Sequence, residues 1–206
     1  LRSHFWHDTD KDRTGIIPFV FDKNFNFETY TDYALNVPMY FIKRNNKYID
    51  MTGLTFNDFL NGKKNKTNIF FEPEIHDWID HLSTLFPQVR LKQYLEVRSM
   101  DACSWNEICA PAAFWTGLIY DNSSLEASIN LMKDWTNEER SLLNLNVPEY
   151  GLNTKFRENN VLNIARKLIE ISEKGLKTRN RLSTDQKYDE SHYLLGIKDN
   201  IAKGMS

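Results

Sequence analysis

Gln93-Tyr94-Leu95-Glu96-Val97-Arg98-Ser99-Met100-Asp101 alternates apolar and polar side chains as a β-strand with two unlike faces does. Leu95 and Val97 share one face, and the pattern predicts that they enter a core. Tyr94, Glu96 and Arg98 share the other. A carboxylate and a guanidinium two residues apart on a stiff strand suit a divalent cation and the phosphates it neutralises. The competing reading is a solvated face with a weak ion pair, since exposed pairs are common and contribute little.

Upstream of this strand the sequence is dense in turns and short apolar runs. Residues 1–15 are mostly polar and close on Gly15, which reads as a loop before a short apolar strand, Ile16 to Phe21. Trp6, Asp10 and Arg13 crowd that loop. His4 and His7 have no second pair of ligands to make a zinc site. The spacing of Phe27, Tyr30, Ala34 and Leu35 predicts a helix ending before Pro38. A hairpin follows, with strands at residues 39–42 and 48–50 and a turn around Asn45-Asn46. Thr55 is a suitable N-cap for a helix to Leu60. Lys63, Lys64 and Lys66 lie in a polar surface loop. Pro73 starts a helix with Ile75, Trp78, Leu82 and Leu85 inward, His76 and His81 on its margins, and Pro87 at its end.

Downstream, helical signals dominate. Ser104 with Glu107 and Thr136 with Glu139 are capping boxes. The apolar stretch 105–120 is interrupted by Pro111, which implies a kink or two short helices. Pro148 closes the helix that Thr136 starts. Val161, Ile164, Ala165, Leu168 and Ile171 trace an amphipathic stripe with Gly175 as its stop, residues 178–187 read as a linker, and a last helix covers 189–203. Strand signals in 1–101 and helical signals in 102–206 predict an α+β fold.

The 206 residues suffice for one large domain or two small ones. A net charge of -2 argues against a general nucleic-acid binder, and no apolar run approaches the roughly 18 residues that span a bilayer. Two cysteines, Cys103 and Cys109, are too few for a disulfide scaffold and suit a reducing compartment, so a cytoplasmic location is expected. The start at Leu1 suggests an excised piece.

Five segments carry a resemblance. They are Arg2-Ser-His-x-Trp6-x-Asp-Thr-Asp10-Lys-Asp-Arg13-Thr-Gly15, Asp32-Tyr-Ala-Leu-x-Val-Pro-Met-Tyr40-Phe41, Phe86-Pro-x-Val-Arg-Leu-Lys92 with Tyr94-Leu-Glu96-x-Arg98, Ala113-Phe-Trp-x-Gly117 and Trp135-Thr-x-Glu-Glu-Arg140. Together they resemble the plant-type glutamate–cysteine ligase family, which also occurs in proteobacteria, over nearly the whole chain. The resemblance implies a C-terminal fragment, residues 1–206, of a single catalytic domain. Its fold would be an antiparallel β-sheet flanked by helices, related to glutamine synthetase. The implied reaction uses ATP and Mg2+ to join L-glutamate to L-cysteine through a γ-glutamyl phosphate, the first step of glutathione biosynthesis. A fragment by itself is expected to be inactive, and a bacterial origin is expected.

By the same resemblance Arg2 and Trp6 line the amino-acid pocket, with Arg2 gripping a carboxylate, and Tyr40 closes its cysteine side. The strand face assigns Glu96 to magnesium and Arg98 to a phosphate, while Asp10 and Arg13 brace the loop. Met51 and Lys66 stand where plant members carry regulatory cysteines, so that redox switch is expected to be missing; Cys109 matches a family cysteine whose partner lies upstream. Two other readings remain open: a ligase for a different amine, and a non-catalytic binding module.

Overall fold

The computed structural model describes residues 2–205, with side chains from His4 to Met205. The chain divides into two compact units, His4–Ser99 and one that contains Met100–Ser206. Each has its own core.

The first unit interleaves short helices with short strands. The segment expected as a loop contains regular elements: α1 (Arg2–Trp6) precedes a turn and β1 (Thr14–Gly15). The segment expected as an apolar strand turns instead into a 3-10 helix, Pro18–Phe21. Proline opens that turn because its ring already sets a helical φ and its missing N–H has no partner there. α2 (Phe27–Asn36) begins in a capping box between Asn26 and Thr29 and ends at Val37, before Pro38. β2 (Phe41–Arg44) and β3 (Lys47–Asp50) form the expected hairpin, and Asn45 and Asn46 take φ of 51° and 60° in its turn. Asparagine tolerates that left-handed region better than other side chains.

Thr55 caps α3 (Phe56–Leu60), with Asp58 returning the bond. In α4 (Ile75–Ser83) the inward face differs from expectation: Ile75 is 67% exposed, whereas Asp77 and His81 are buried. Arg44 draws Asp77 inward with two bonds of 2.6 and 2.7 Å, and His81 Nε2 meets the Ala34 carbonyl oxygen at 2.8 Å. Satisfied polar groups can therefore occupy the buried stripe. Met39, Ile42, Met51, Phe56 and Phe59 form the main core, with Ala34, Val37 and Leu85 beside it.

The unit ends with β4 (Phe86–Pro87), which pairs parallel with β1, and the antiparallel hairpin of β5 (Val89–Leu91) and β6 (Leu95–Val97). Among the described residues, strands pair only two by two, so no continuous antiparallel sheet is seen. The β1–β4 ladder is two residues long, and Pro87, which pairs with Gly15, has no N–H to donate to it.

The second unit is helical. After a 3-10 turn at Trp105–Glu107 come α5 (Ala110–Ile119), α6 (Asn122–Met132) and α7 (Asn137–Tyr150). Pro111 thus separates two helical pieces and sits in the first turn of α5. The Thr136–Glu139 capping box forms. The Ser104–Glu107 pair bonds side chain to side chain at 2.9 Å instead, without capping the backbone. Pro148 lies inside α7, where its helical φ lets the last turn continue despite the lost N–H. The short hairpin of β7 (Lys155–Phe156) and β8 (Asn159–Asn160) leads into α8 (Val161–Arg179).

Gly175, expected to stop this helix, lies within it, because α8 crosses α5 and α6 at small residues. A Cβ on Gly175 would collide with the Gly117 carbonyl, and one on Gly117 with Ser172. Ser172 Oγ donates to the Phe114 carbonyl at 2.8 Å across the same crossing. The stop is Asn180, in the left-handed conformation. Beyond it, the segment read as a linker is tied down by a Leu182–Asp189 bridge. The final helix is split between a 3-10 turn, Glu190–Leu194, and α9 (Leu195–Ala202). Cys103 and Cys109 are exposed thiols.

Candidate functional site

The turn after α1 is built around one carboxylate. Asp10 Oδ1 accepts the Asp12 amide at 3.1 Å, and its main-chain carbonyl accepts the Thr14 amide at 3.1 Å. This Asx-type turn leaves Oδ2 pointing away, where it accepts Arg13 Nε at 2.7 Å and the Tyr40 hydroxyl at 3.1 Å. Burial raises the Asp10 pKa, but the bonds from Arg13, Asp12 and Tyr40 outweigh it and hold the carboxyl below its ordinary range. Burial pushes the Tyr40 hydroxyl up, with the Asp10 carboxylate adding to the rise.

Arg13 is 1% exposed. Its guanidinium bonds to Asp10, to Thr84 Oγ1 at 2.9 Å and to the Pro38 carbonyl, and it stacks 3.5 Å from the centroid of the Tyr40 ring. Tyr33, whose pKa burial pushes up to about 12, fastens the same turn by donating to the Asp12 carbonyl at 3.0 Å.

β1 then carries the chain to the second cluster. Gly15, at φ 88°, takes a conformation that side chains avoid, and its carbonyl accepts the Gln88 amide at 2.9 Å. On the β5–β6 hairpin Arg90 stands opposite Glu96. Arg90 Nε donates to Glu96 Oε2 at 2.7 Å, while Arg98 Nη1 lies 3.4 Å from Oε1. The Arg90 bond, reinforced by the charges of Arg90 and Arg98, lowers the Glu96 pKa. The Arg98 guanidinium lies 5.3 Å from the Phe86 ring centroid and 5.9 Å from that of Trp6.

The alternation along this strand holds, but neither face is buried throughout, since Tyr94 is exposed and Val97 half-buried. Glu96 and Arg98 are half-buried against Arg90 and the aromatic rings, while Leu95 is 67% exposed. Leu95 borders an apolar groove of about 890 Å³ shared with Phe21, Phe25, Tyr30 and Val89 rather than a filled core.

This geometry brings Asp10, Arg13 and Tyr40 into one cluster and Trp6, Glu96 and Arg98 into another. The side chain of Arg2 lies outside the described residues. Arg90 and Thr84 were missed by sequence reasoning. Arg90 had a signal, the alternation Val89-Arg90-Leu91 facing Leu95-Glu96-Val97, whereas nothing local marks Thr84. Glu96 does not fit a magnesium ligand here, because both its oxygens face guanidinium groups that would repel a dication. Among the described residues, no group of three or more His, Cys, Asp or Glu side chains is arranged to hold a metal ion.

The model of glutamate-cysteine ligase family 2 matches residues 1–206. This chain belongs to that family. It is 47% identical over its whole length to chloroplastic glutamate–cysteine ligase A of Oryza sativa subsp. indica, covering 40% of that protein. Against the chloroplastic glutamate–cysteine ligase of Arabidopsis thaliana it is 47% identical over its whole length and covers 38% of the relative. The Solanum lycopersicum enzyme is 48% identical over 178 residues, 86% of this chain and 34% of the relative. The chain thus spans about two fifths of the length of these glutamate–cysteine ligases. Their chloroplastic names overturn the expectation of a cytoplasmic chain of bacterial origin.

The two positions at which the resemblance led us to expect no redox switch carry Met51 and Lys66. Met51 is buried in the core, and Lys66 Nζ donates to the hydroxyl of Thr52 at 2.6 Å. Among the described residues no helix is long and apolar enough to cross a membrane.

Proposed function

We propose that the protein containing this chain joins the γ-carboxylate of L-glutamate to the amine of L-cysteine, using ATP. The observation that carries this reading is the family match over residues 1–206. A carboxylate is a poor acyl donor because its oxyanion does not leave, so transfer of a phosphoryl group supplies the leaving group. The amine then attacks the acyl phosphate. Crowded anions of this kind call for fixed cations and oriented dipoles more than for a side-chain nucleophile.

Arg98 has the character this step needs: a half-buried guanidinium beside the Phe86 and Trp6 rings and the Glu96 carboxylate, with the planar fork that suits a phosphate. We assign it the phosphate contact, with Glu96 orienting it and Arg90. Trp6 beside Arg98, together with Arg2, is assigned to the amino-acid pocket, and Tyr40 to its cysteine side. Magnesium would neutralise the phosphates, on ligands other than Glu96. The two antiparallel hairpins of the first unit are read as parts of a larger antiparallel sheet of glutamine synthetase type, in one catalytic domain.

The test uses the full-length protein with ATP, magnesium and L-glutamate, supplied with L-cysteine or other amines. ADP release together with γ-glutamylcysteine supports the proposal. Turnover with another amine but not with cysteine would identify a different carboxylate–amine ligase, and ATP binding without turnover a non-catalytic module.

A further inference from the structure

Tyr40 is 39% exposed, yet it is held at more than one point. Its hydroxyl donates to Asp10 Oδ2, one ring face is covered by the Arg13 guanidinium at 3.5 Å, and the Arg13 fork also grips the carbonyl of Pro38, two residues before it. The fork is anchored in turn by Asp10 and by Thr84 Oγ1, whose hydroxyl donates to the His81 carbonyl at 2.7 Å. Ring face, ring tip and preceding backbone are all fixed by one buried cation and its carboxylate. A surface tyrosine with a purely structural role has no need of such a clamp, since an exposed aromatic ring is held well enough by contact on one face.

We propose that Asp10 and Arg13 are positioning residues that set the affinity for the amine substrate by holding the Tyr40 ring. This rests on the ligase reading and on the placement of Tyr40 beside the acceptor. The hydroxyl donates to Asp10, so Tyr40 would meet the incoming amino acid through its partly exposed ring and not through a hydrogen bond from its hydroxyl. Such a contact depends on ring orientation, which is what the clamp controls. Ordering the ring before binding removes an entropy cost that the substrate would otherwise meet.

The experiment measures kcat and the KM of each substrate in the full-length protein carrying Asp10→Asn, Tyr40→Ala or both. Asp10 is partly exposed, so its amide variant folds where a truncation of Arg13 would not. Asp10→Asn is expected to raise the KM for cysteine about threefold to tenfold, the loss of one charged hydrogen bond, and to leave the KM for ATP unchanged. Tyr40→Ala raises the cysteine KM further, and the double variant matches Tyr40→Ala alone, because Asp10 acts only through the ring. Multiplying effects in the double variant, or an unchanged cysteine KM in Asp10→Asn, would overturn the positioning role. An unchanged cysteine KM in Tyr40→Ala would overturn it differently, by removing Tyr40 from the acceptor site.

Discussion

At the scale of single residues, the first unit stores several ionisable groups where water does not reach them freely. Burial is the main force holding the His81 pKa below its ordinary value, with the Arg13 charge adding to it and the bond to the Ala34 carbonyl opposing it. The folded protein therefore keeps His81 neutral in a range where the unfolded chain takes up a proton. Stability is complete above the ordinary histidine pKa of about 6.5 and is lost as pH falls below it, by at most about 1.4 kcal/mol per pH unit for one proton. Thermal melting between pH 7.5 and 5 should show this decline, and His81→Gln should flatten it while lowering the neutral-pH midpoint. An unchanged slope in the variant would place the titration elsewhere. Glu96 is the second case. Its pairing with Arg90 and Arg98 leads us to expect that Glu96→Gln lowers kcat but leaves the magnesium concentration for half activity unaltered; a large rise in that concentration would return Glu96 to the metal.

At the scale of elements, what could be read in advance was whatever depends on local backbone chemistry. The Asn45-Asn46 hairpin, the Thr55 and Thr136 caps and the break before Pro38 follow from φ preferences and side-chain oxygens within a few residues. What could not be read was set by partners far along the chain. Gly175 looks like a stop until Gly117 is placed against it, and Asp77 looks exposed until Arg44 reaches it. Helix α6 was missed because Ser123, Ser124 and Ser128 blunt its apolar period, although Asp121, which accepts the Ser124 amide at 2.9 Å, was a readable cap.

The crossing of α5, α6 and α8 yields a prediction of its own. Gly175→Ala or Gly117→Ala must push the helices apart, costing about 1–3 kcal/mol or more as overpacking does. Denaturant midpoints should fall for both, while Asn180→Gly at the left-handed cap should change little. Equal midpoints for wild type and Gly175→Ala would mean that the crossing is looser than described.

At the scale of the whole molecule, two compact units with separate cores follow one another along the chain at Ser99–Met100. The site residues were legible only through long motifs, since Glu-x-Arg alone is too common to carry a function. Their arrangement was not legible: alternation located the strand faces but not which face is packed, because that depends on Arg90 and Phe86 meeting Glu96 and Arg98. The chemistry proposed for these clusters turns on activation of a carboxylate by phosphorylation. Its most direct test is oxygen transfer in the full-length protein, using L-glutamate labelled with 18O in the γ-carboxylate together with ATP, magnesium and L-cysteine. One labelled oxygen should appear in the released phosphate for each γ-glutamylcysteine formed, whereas product formed with unlabelled phosphate would contradict an acyl phosphate.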